Sequence, residues 1–274
     1  MKYFIIYPPT SFILLRSTPH HSTLIAQHMF IATDFLIINY GVDEKIARFF
    51  VDREPPANNL YWHEKLLYLR PGAGYIFIPL IVDLVFKSGI AKDELLGSTF
   101  VTTMEQIGHI SALEETKQIN AATAIQQCAD LVHANCHSNS WYNDVLAYLQ
   151  GQDNFIAKLA SPFKALHRGD VFLFALCAVH FPKEKETQLV QQWFALITTL
   201  LLQDDAEDVQ SDQTTGDENA FLEHGLSTKS IAMAEDLVKK NIAIIASLNG
   251  TMAKTLEQSF YKLLAKPITF LTQK

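Results

Sequence analysis

The sequence predicts an all-α protein, a single-domain helical bundle of about ten helices. Apolar residues recur at intervals of three and four along most of the 274 residues, which is the period of an amphipathic helix. No pair of alternating segments around a short turn predicts a β-hairpin. About half of the residues are apolar, which is enough for one large core. We therefore expect one domain to span residues 1–274, with residues 1–20 as an N-terminal arm.

The predicted helices are separated by breaks rich in Gly, Pro and polar residues, such as Gly41 and residues 53–59. The segment 3–7 is either a short strand or part of an apolar arm. Residues 171–179 and 194–202 are apolar on more than one helical face, so we expect them in the middle of the bundle. In chain order, the predicted helices are residues 23–41, 43–52, 58–69, 74–86, 93–115, 119–135, 141–151, 170–180, 186–210, 230–250 and 254–266.

The negative charge of the chain is concentrated in one place. The formal net charge is −7, and residues 200–221 contain seven acidic residues and no Lys or Arg. An acidic chain without a basic stripe is a poor candidate for binding nucleic acid. Three cysteines without a C-x-x-C motif indicate a reducing compartment, which predicts a cytoplasmic location. No apolar run approaches the ~20 residues that span a bilayer, so we expect no membrane span.

The acidic residues lie toward the C-terminal end of the helix that begins at residue 186. Asp204, Asp208 and Asp212 are four residues apart, so they share one helical face, and Asp205 flanks that face. Like charges at this spacing repel, and the negative end of the helix dipole disfavours each by a further ~0.3–1 kcal/mol. Mg²⁺ takes one or two carboxylates together with waters and substrate phosphate. The pattern favours a magnesium site, and a solvated acidic helix end is the alternative.

This acidic stretch resembles the second metal motif of the class I isoprenoid (terpenoid) synthase superfamily. Asp204-Asp205-x-x-Asp208 is similar to the D-D-x-x-D motif of prenyl diphosphate synthases. Asp204, Asp208 and Asp212 match the spacing of N-D-x-x-S-x-x-x-E in terpene cyclases. The resemblance implies a bundle of the terpenoid synthase type around a central cavity, in which these aspartates bind Mg²⁺ and the metal holds a prenyl diphosphate. It also implies a homodimer.

The first metal motif of the family departs from its usual form in this chain. The best match is residues 109–118, in which Glu114 and Glu115 stand in place of two aspartates and Gln118 replaces the third carboxylate. The resemblance implies that Glu114 and Glu115 complete the metal site from a facing helix. A solvated helix turn is the alternative interpretation, and Asp130 is a second candidate for this role.

The resemblance also implies basic side chains around the diphosphate. Of the family's G-G-K-R-x-R-P segment only Leu-Arg-Pro around Arg70 remains, which makes Arg70 a candidate phosphate ligand. Lys164 and Arg168 are candidates for a catalytic role, and Lys239 or Lys240 for phosphate binding. A surface charge is the alternative for each. Aromatic faces can stabilise a carbocation, and the candidates for lining its pocket are Phe100, Phe172, Phe174, Trp193 and Phe194.

One further group of residues suggests metal chemistry. His133 and His137 are four residues apart, as in a zinc pair on a helix, and Cys136 lies between them. No third ligand is arranged nearby in the sequence, so a structural role is the favoured interpretation.

Three functions therefore remain open. The first is Mg²⁺-dependent ionisation of a prenyl diphosphate, which leads to a terpene by cyclisation or elimination, or to prenyl transfer. The second is a non-catalytic member of the same fold that binds a diphosphate or a partner subunit. The third is an unrelated helical interaction domain in which the acidic residues form a solvated patch.

Overall fold

The computed structural model describes residues 33–53, 56, 58–59 and 73–272. Every regular element in these ranges is helical, which confirms the predicted all-α bundle. The helices pack around one connected cluster of buried apolar residues. The expected arm at residues 1–20, Arg70 and nearly all of the predicted helix 58–69 lie outside the described residues.

The observed helices follow the predicted order. Gly97 divides the predicted helix 93–115 into a short and a long helix, as expected for a weak helix former. None of the described helices is long and apolar enough to cross a membrane. The helices are α1 (33–40), α2 (Glu44–Asp52), α3 (Ala73–Lys87), α4 (Lys92–Leu95), α5 (Ser98–Glu115), α6 (Ala121–His133), α7 (Asn139–Leu149), α8 (Glu186–Thr215), α9 (Ala220–Glu223), α10 (Thr228–Ala246) and α11 (Gly250–Thr272). Two 3₁₀ helices, Lys164–Ala178 and Lys183–Lys185, lie between α7 and α8.

Helix α8 is the central element of the bundle. It packs against α3, α10, α11 and the longer 3₁₀ helix, and residues 192–203 are all buried. A helix buried on all sides must find partners for its polar side chains. One such partner is Asn241 of α10, whose side-chain amide donates to Thr198 Oγ1 at 2.8 Å. Asp204 is therefore the first residue after a fully buried stretch of the central helix.

The longer 3₁₀ helix, Lys164–Ala178, differs from the α-helix predicted at residues 170–180. A 3₁₀ run of this length is uncommon. At Gly169 the segment lies directly against α8, because a Cβ at this position would be only 2.8 Å from Ile197 Cγ1. The narrower winding and the missing side chain together allow this close approach. Residues 172–178 are buried, as their apolar character predicts.

Local sequence signals determine where α8 ends and α9 begins. Gly216 follows the last residue of α8 with φ 74°, a left-handed conformation that glycine adopts without strain. The helix thus extends beyond the periodic segment 186–210 and ends at the stop signal that contains Gly216, so Asp212 lies within it. Asn219 then caps α9 by accepting a hydrogen bond from the backbone N–H of Phe221. This sharp connection folds α9 back toward the acidic end of α8.

Candidate functional site

The acidic end of α8 lies beside Arg168 of the longer 3₁₀ helix. Arg168 Nη2 donates to Asp205 Oδ1 at 2.8 Å and to Asp204 Oδ2 at 3.3 Å. Its Nη1 donates to the carbonyl of Ala165 at 2.6 Å, which orients the guanidinium on its own segment. The side chain of Asp205 is 1% exposed and that of Asp204 is 15% exposed. We refer to Asp204, Asp205, Asp208 and Asp212 as the acidic cluster.

Two members of the acidic cluster also hold α9 in place. The backbone N–H of Ala220 donates to Asp205 Oδ2 at 2.8 Å. The side-chain amide of Asn219 donates to the Asp205 carbonyl at 2.7 Å and to Asp212 Oδ2 at 3.0 Å. Because buried carboxylates need hydrogen-bond donors, these contacts help the fold to accommodate Asp205 and Asp212. The sequence signal that could have revealed Asn219 is its helix-capping position after Gly216.

Replacing Asn219 with alanine is expected to lower the free energy of unfolding by about 1–3 kcal/mol, because two buried acceptors on α8 lose their donor and α9 loses its cap. Chemical denaturation of the variant and the wild type measures this difference. The control is Asn139→Ala, because Asn139 is exposed at the start of α7. Asn154 is not suitable as a control, because its side chain also makes internal hydrogen bonds. A loss no larger than that of Asn139→Ala would show that the Asn219 contacts do not stabilise the protein.

Burial raises the pKa of both Asp204 and Asp205, and Arg168 opposes the shift in each. For Asp204, burial raises the pKa to about 8, and the charges of Asp205, Asp208 and Asp212 add to the shift. Strongly perturbed carboxyl groups in a cluster mark candidate functional sites. The ionisation of Asp204 therefore depends on Arg168 and on the neighbouring aspartates.

The predicted partners of the acidic cluster, Glu114 and Glu115, are the last two residues of α5. This helix packs against the longer 3₁₀ helix. Glu115 as a whole is solvent-exposed, yet desolvation of its carboxyl by the surrounding protein raises its pKa; Arg168 opposes this shift and Glu114 adds to it. Glu115 is thus within electrostatic reach of the guanidinium that binds Asp204 and Asp205. Glu114 instead lines a surface groove of about 570 Å³.

The other predicted site residues are found in different surroundings. Lys164 is exposed at the start of the longer 3₁₀ helix. Lys239 lies on an exposed face of α10, with its Nζ 3.7 Å from Asp236 Oδ1, and the neighbouring Lys240 is also exposed. Asp130 lies on α6, where it accepts a hydrogen bond from Gln126. Arg168 is thus the basic candidate that the structure brings into contact with Asp204 and Asp205.

The aromatic residues expected around a prenyl chain are packed into the core. Phe77 of α3 lies edge-on to both Phe172 and Trp193, with ring centroids 5.7 Å and 5.6 Å away. The five candidates are each no more than 4% exposed: Phe100, Phe172, Phe174, Trp193 and Phe194.

The donor set of the acidic cluster is compatible with Mg²⁺ but does not form a multidentate cage. Within the described part of the chain, no group of three or more His, Cys, Asp or Glu side chains is arranged to hold a metal ion. Mg²⁺ commonly keeps several waters and uses one or two carboxylates plus phosphate oxygens. The residues that fit this requirement best are Asp204 and Asp208, one helical turn apart.

The histidine pair suggested by the sequence is not formed. Helix α6 ends at His133, so His133 and His137 do not share a helical face. His133 lies edge-on to Tyr142, whereas His137 stacks on His180 with ring centroids 3.6 Å apart. His180 Nδ1 in turn lies 2.7 Å from Glu94 Oε1. No local sequence pattern connects these residues, because they come from three separate parts of the chain.

Another buried acid lies two residues beyond Arg168 and was not identified from the sequence. Asp170 is 2% exposed and accepts a hydrogen bond from the Tyr148 hydroxyl through Oδ2. Its Oδ1 has no hydrogen-bond partner among the described residues. Burial raises the pKa of Asp170 to about 8, although the bond from Tyr148 opposes this. Asp170 is therefore largely protonated at neutral pH.

Comparison of the chain with protein-family models, with curated proteins and with solved structures gave no match. Function is therefore inferred from the chemistry of the site and from the motif resemblance.

Proposed function

We propose that the protein binds a prenyl diphosphate together with Mg²⁺ at the acidic cluster and promotes ionisation of the diphosphate ester. The product is a terpene, formed by cyclisation or elimination, or a prenyl-transfer product. The observation that carries this proposal is the burial of Asp204 and Asp205 beside one shared guanidinium, at the end of the central helix. The resemblance to class I isoprenoid synthases supplies the substrate class. We also propose, from the resemblance and the cysteine content, a cytoplasmic homodimer.

The residues of the site have distinct proposed roles. Asp204 and Asp208 hold the metal, which when bound would neutralise negative charge on the leaving diphosphate. Arg168 has several N–H donors in a planar fork, so it can bind phosphate oxygens in place of its longer contact to Asp204. Its bond to Ala165 keeps the guanidinium in position for this exchange.

Four further residues are proposed in secondary roles. Glu115 supplements the acidic cluster because it lies within electrostatic reach of Arg168. Lys164 is on the same 3₁₀ helix as Arg168 and is a second candidate for charge neutralisation. The roles proposed for Glu114 in metal binding and for Lys239 in phosphate binding rest on the family resemblance alone.

A second candidate function is diphosphate binding without turnover. It is favoured by the packing of the aromatic core, in which Phe172 and Trp193 both contact Phe77. A prenyl chain can enter this region only if these rings separate. A protein that binds the diphosphate group at the acidic cluster needs no such rearrangement.

The proposal is tested by measuring the melting temperature with MgCl₂ alone, with pyrophosphate alone and with both. We expect both together to raise the melting temperature by about 5 °C or more at saturation, because ligands that bind only the folded state stabilise it. The increase in melting temperature that requires both Mg²⁺ and pyrophosphate should be lost in Asp204→Asn and Asp208→Asn. Asp153→Asn, an exposed acid in the loop after α7, is the matched control and should retain it.

The ligand-induced shift is compared within each variant, because Asp204→Asn removes a buried charge and changes the baseline stability. The absence of any joint effect of Mg²⁺ and pyrophosphate would refute binding at the acidic cluster. A joint effect without turnover of geranyl, farnesyl or geranylgeranyl diphosphate would select the non-catalytic candidate. Release of pyrophosphate from one of these substrates, lost in Asp208→Asn, would support the enzyme.

A further inference from the structure

Cys136 and Cys177 are distant in sequence but adjacent in the fold. Cys136 lies in the connection between α6 and α7, and Cys177 lies near the end of the longer 3₁₀ helix. Both are free thiols. The Cys136 thiol donates to the carbonyl oxygen of Ser138 at 3.2 Å. It lies close enough to the Cys177 thiol to raise the pKa of that group, and both sulfurs raise the pKa of the Tyr142 hydroxyl.

The backbone brings the two residues to a distance that suits a covalent bond. The N–H of His137 donates to the carbonyl oxygen of Cys177 at 2.9 Å. The Cα atoms of Cys136 and Cys177 are each two covalent bonds from an atom of this hydrogen bond, so they are at most about 7–8 Å apart. Disulfides join Cα atoms that are about 4.4–6.8 Å apart. The Cα separation therefore lies within, or no more than about 1 Å beyond, the range that a disulfide spans.

The two thiols differ in their access to solvent. Cys177 is 1% exposed, whereas Cys136 is partly exposed. Burial raises the pKa of the Cys177 thiol well above its usual value, which keeps it protonated and unreactive toward an external reagent. A surface groove of about 230 Å³ lies beside this pair. It is lined by residues that follow the two cysteines in the sequence: His137, Ser138, Val179, His180, Phe181 and Pro182.

We propose that Cys136 and Cys177 form a reversible intramolecular disulfide by exchange with a small-molecule disulfide such as oxidised glutathione. The Cys136 thiolate attacks one sulfur of glutathione disulfide, forms a mixed disulfide and releases one glutathione thiolate. The Cys177 thiol then loses its proton, attacks the Cys136 sulfur and releases the second glutathione. Two protein thiols are oxidised and one glutathione disulfide is reduced to two thiols, so electrons and protons balance.

The experiment uses the full chain, incubated with excess oxidised glutathione at pH 8 and then alkylated in denaturant. We expect the number of alkylated cysteines to fall from three to one, a mass loss of two hydrogen atoms before alkylation, and a single cross-linked peptide pair containing Cys136 and Cys177. Dithiothreitol should restore all three thiols. Because the bond closes a long loop, the oxidised chain should melt about 5–10 °C higher than the reduced chain.

Peptide mapping of the wild type tests the proposal even if a variant fails to fold. Cys136→Ala and Cys177→Ala should each abolish the cross-link, whereas Cys128→Ala, which removes a buried thiol on α6, should retain it. Three results would overturn the proposal: a glutathione adduct on Cys136 that does not proceed to a cross-link, a disulfide between two chains, or three thiols that remain reduced.

Discussion

Replacing Arg168 with leucine is expected to lower the free energy of unfolding at neutral pH by about 3–5 kcal/mol, the range observed when one partner of a buried ion pair is removed. Asp205, whose side chain is 1% exposed in the wild type, would lose the guanidinium that donates to it at 2.8 Å. Asp204 would lose its contact to the same group. Urea denaturation, with the slope compared between variants, measures the change.

Lys164→Leu is the matched control, because it removes a cation from the same 3₁₀ helix at an exposed position. It should change stability by no more than about 0.5 kcal/mol. The double variant Arg168→Leu/Asp205→Asn should recover part of the loss, since it removes the buried charge that Arg168 neutralises. If Arg168→Leu were as stable as Lys164→Leu, the ion pair would have no structural role.

Replacing Asp170 with asparagine is expected to make the protein more stable than the wild type above pH 8. The pKa of Asp170 in the folded protein is raised to about 8, so the folded state binds a proton that the unfolded state releases near pH 4. The stability associated with this proton is complete below about pH 4 and is lost as the pH rises to about 8, by up to ~1.4 kcal/mol per pH unit. Asparagine cannot ionise, so its variant avoids this loss.

The measurement is the free energy of unfolding between pH 4 and pH 9 for both proteins. The difference between the two curves isolates Asp170, because the raised pKa of Asp204 contributes equally to both. At pH 4 the variant is expected to be less stable by about 1–3 kcal/mol, since its buried amide lacks a full set of partners. Parallel curves over the whole range would show that Asp170 is ionised in the folded protein at all these pH values.

The same comparison includes Tyr148→Phe as a second variant. The Tyr148 hydroxyl donates to Asp170 Oδ2, and this bond favours the ionised carboxylate. Removing this hydrogen bond should raise the pKa of Asp170 further, so the loss of stability should continue to a higher pH than in the wild type. Asp153→Asn, which changes an exposed acid, should leave the curve unchanged.

The helices could be predicted from the sequence because their evidence is local. The spacing of apolar residues and the Gly216 stop signal are both visible within a few residues. The longer 3₁₀ helix could not be predicted, because a segment that is apolar on several faces fits a repeat of three as well as one of 3.6. What distinguishes the two is the contact between Gly169 and Ile197, which depends on tertiary packing.

The candidate site, like the helices, could be predicted from the sequence only where its evidence is local. The placement of Asp204, Asp208 and Asp212 on one helix follows from their spacing, and α8 extends far enough to include all three. The dual use of Asp205, which binds both Arg168 and the N-terminus of α9, depends on how the chain turns at Gly216.

Other features of the protein depend entirely on long-range contacts. The proximity of Cys136 to Cys177 and the stacking of His137 on His180 have no counterpart in any local pattern. They arise because the connection after α6 lies against the end of the longer 3₁₀ helix.

Gly169 separates two side chains that lie in different environments. A 3₁₀ helix has three residues per turn, so Arg168 and Asp170 project about 120° to either side of the glycine. A methyl group at position 169 would lie 2.8 Å from Ile197 Cγ1, so either the Ile197 side chain or the turn would have to move. Movement of the turn would disturb the contact of Arg168 with Asp205 and that of Asp170 with Tyr148 at once. Positions 169 and 197 are thus sterically complementary: a larger residue at the first is accommodated most easily with a smaller one at the second.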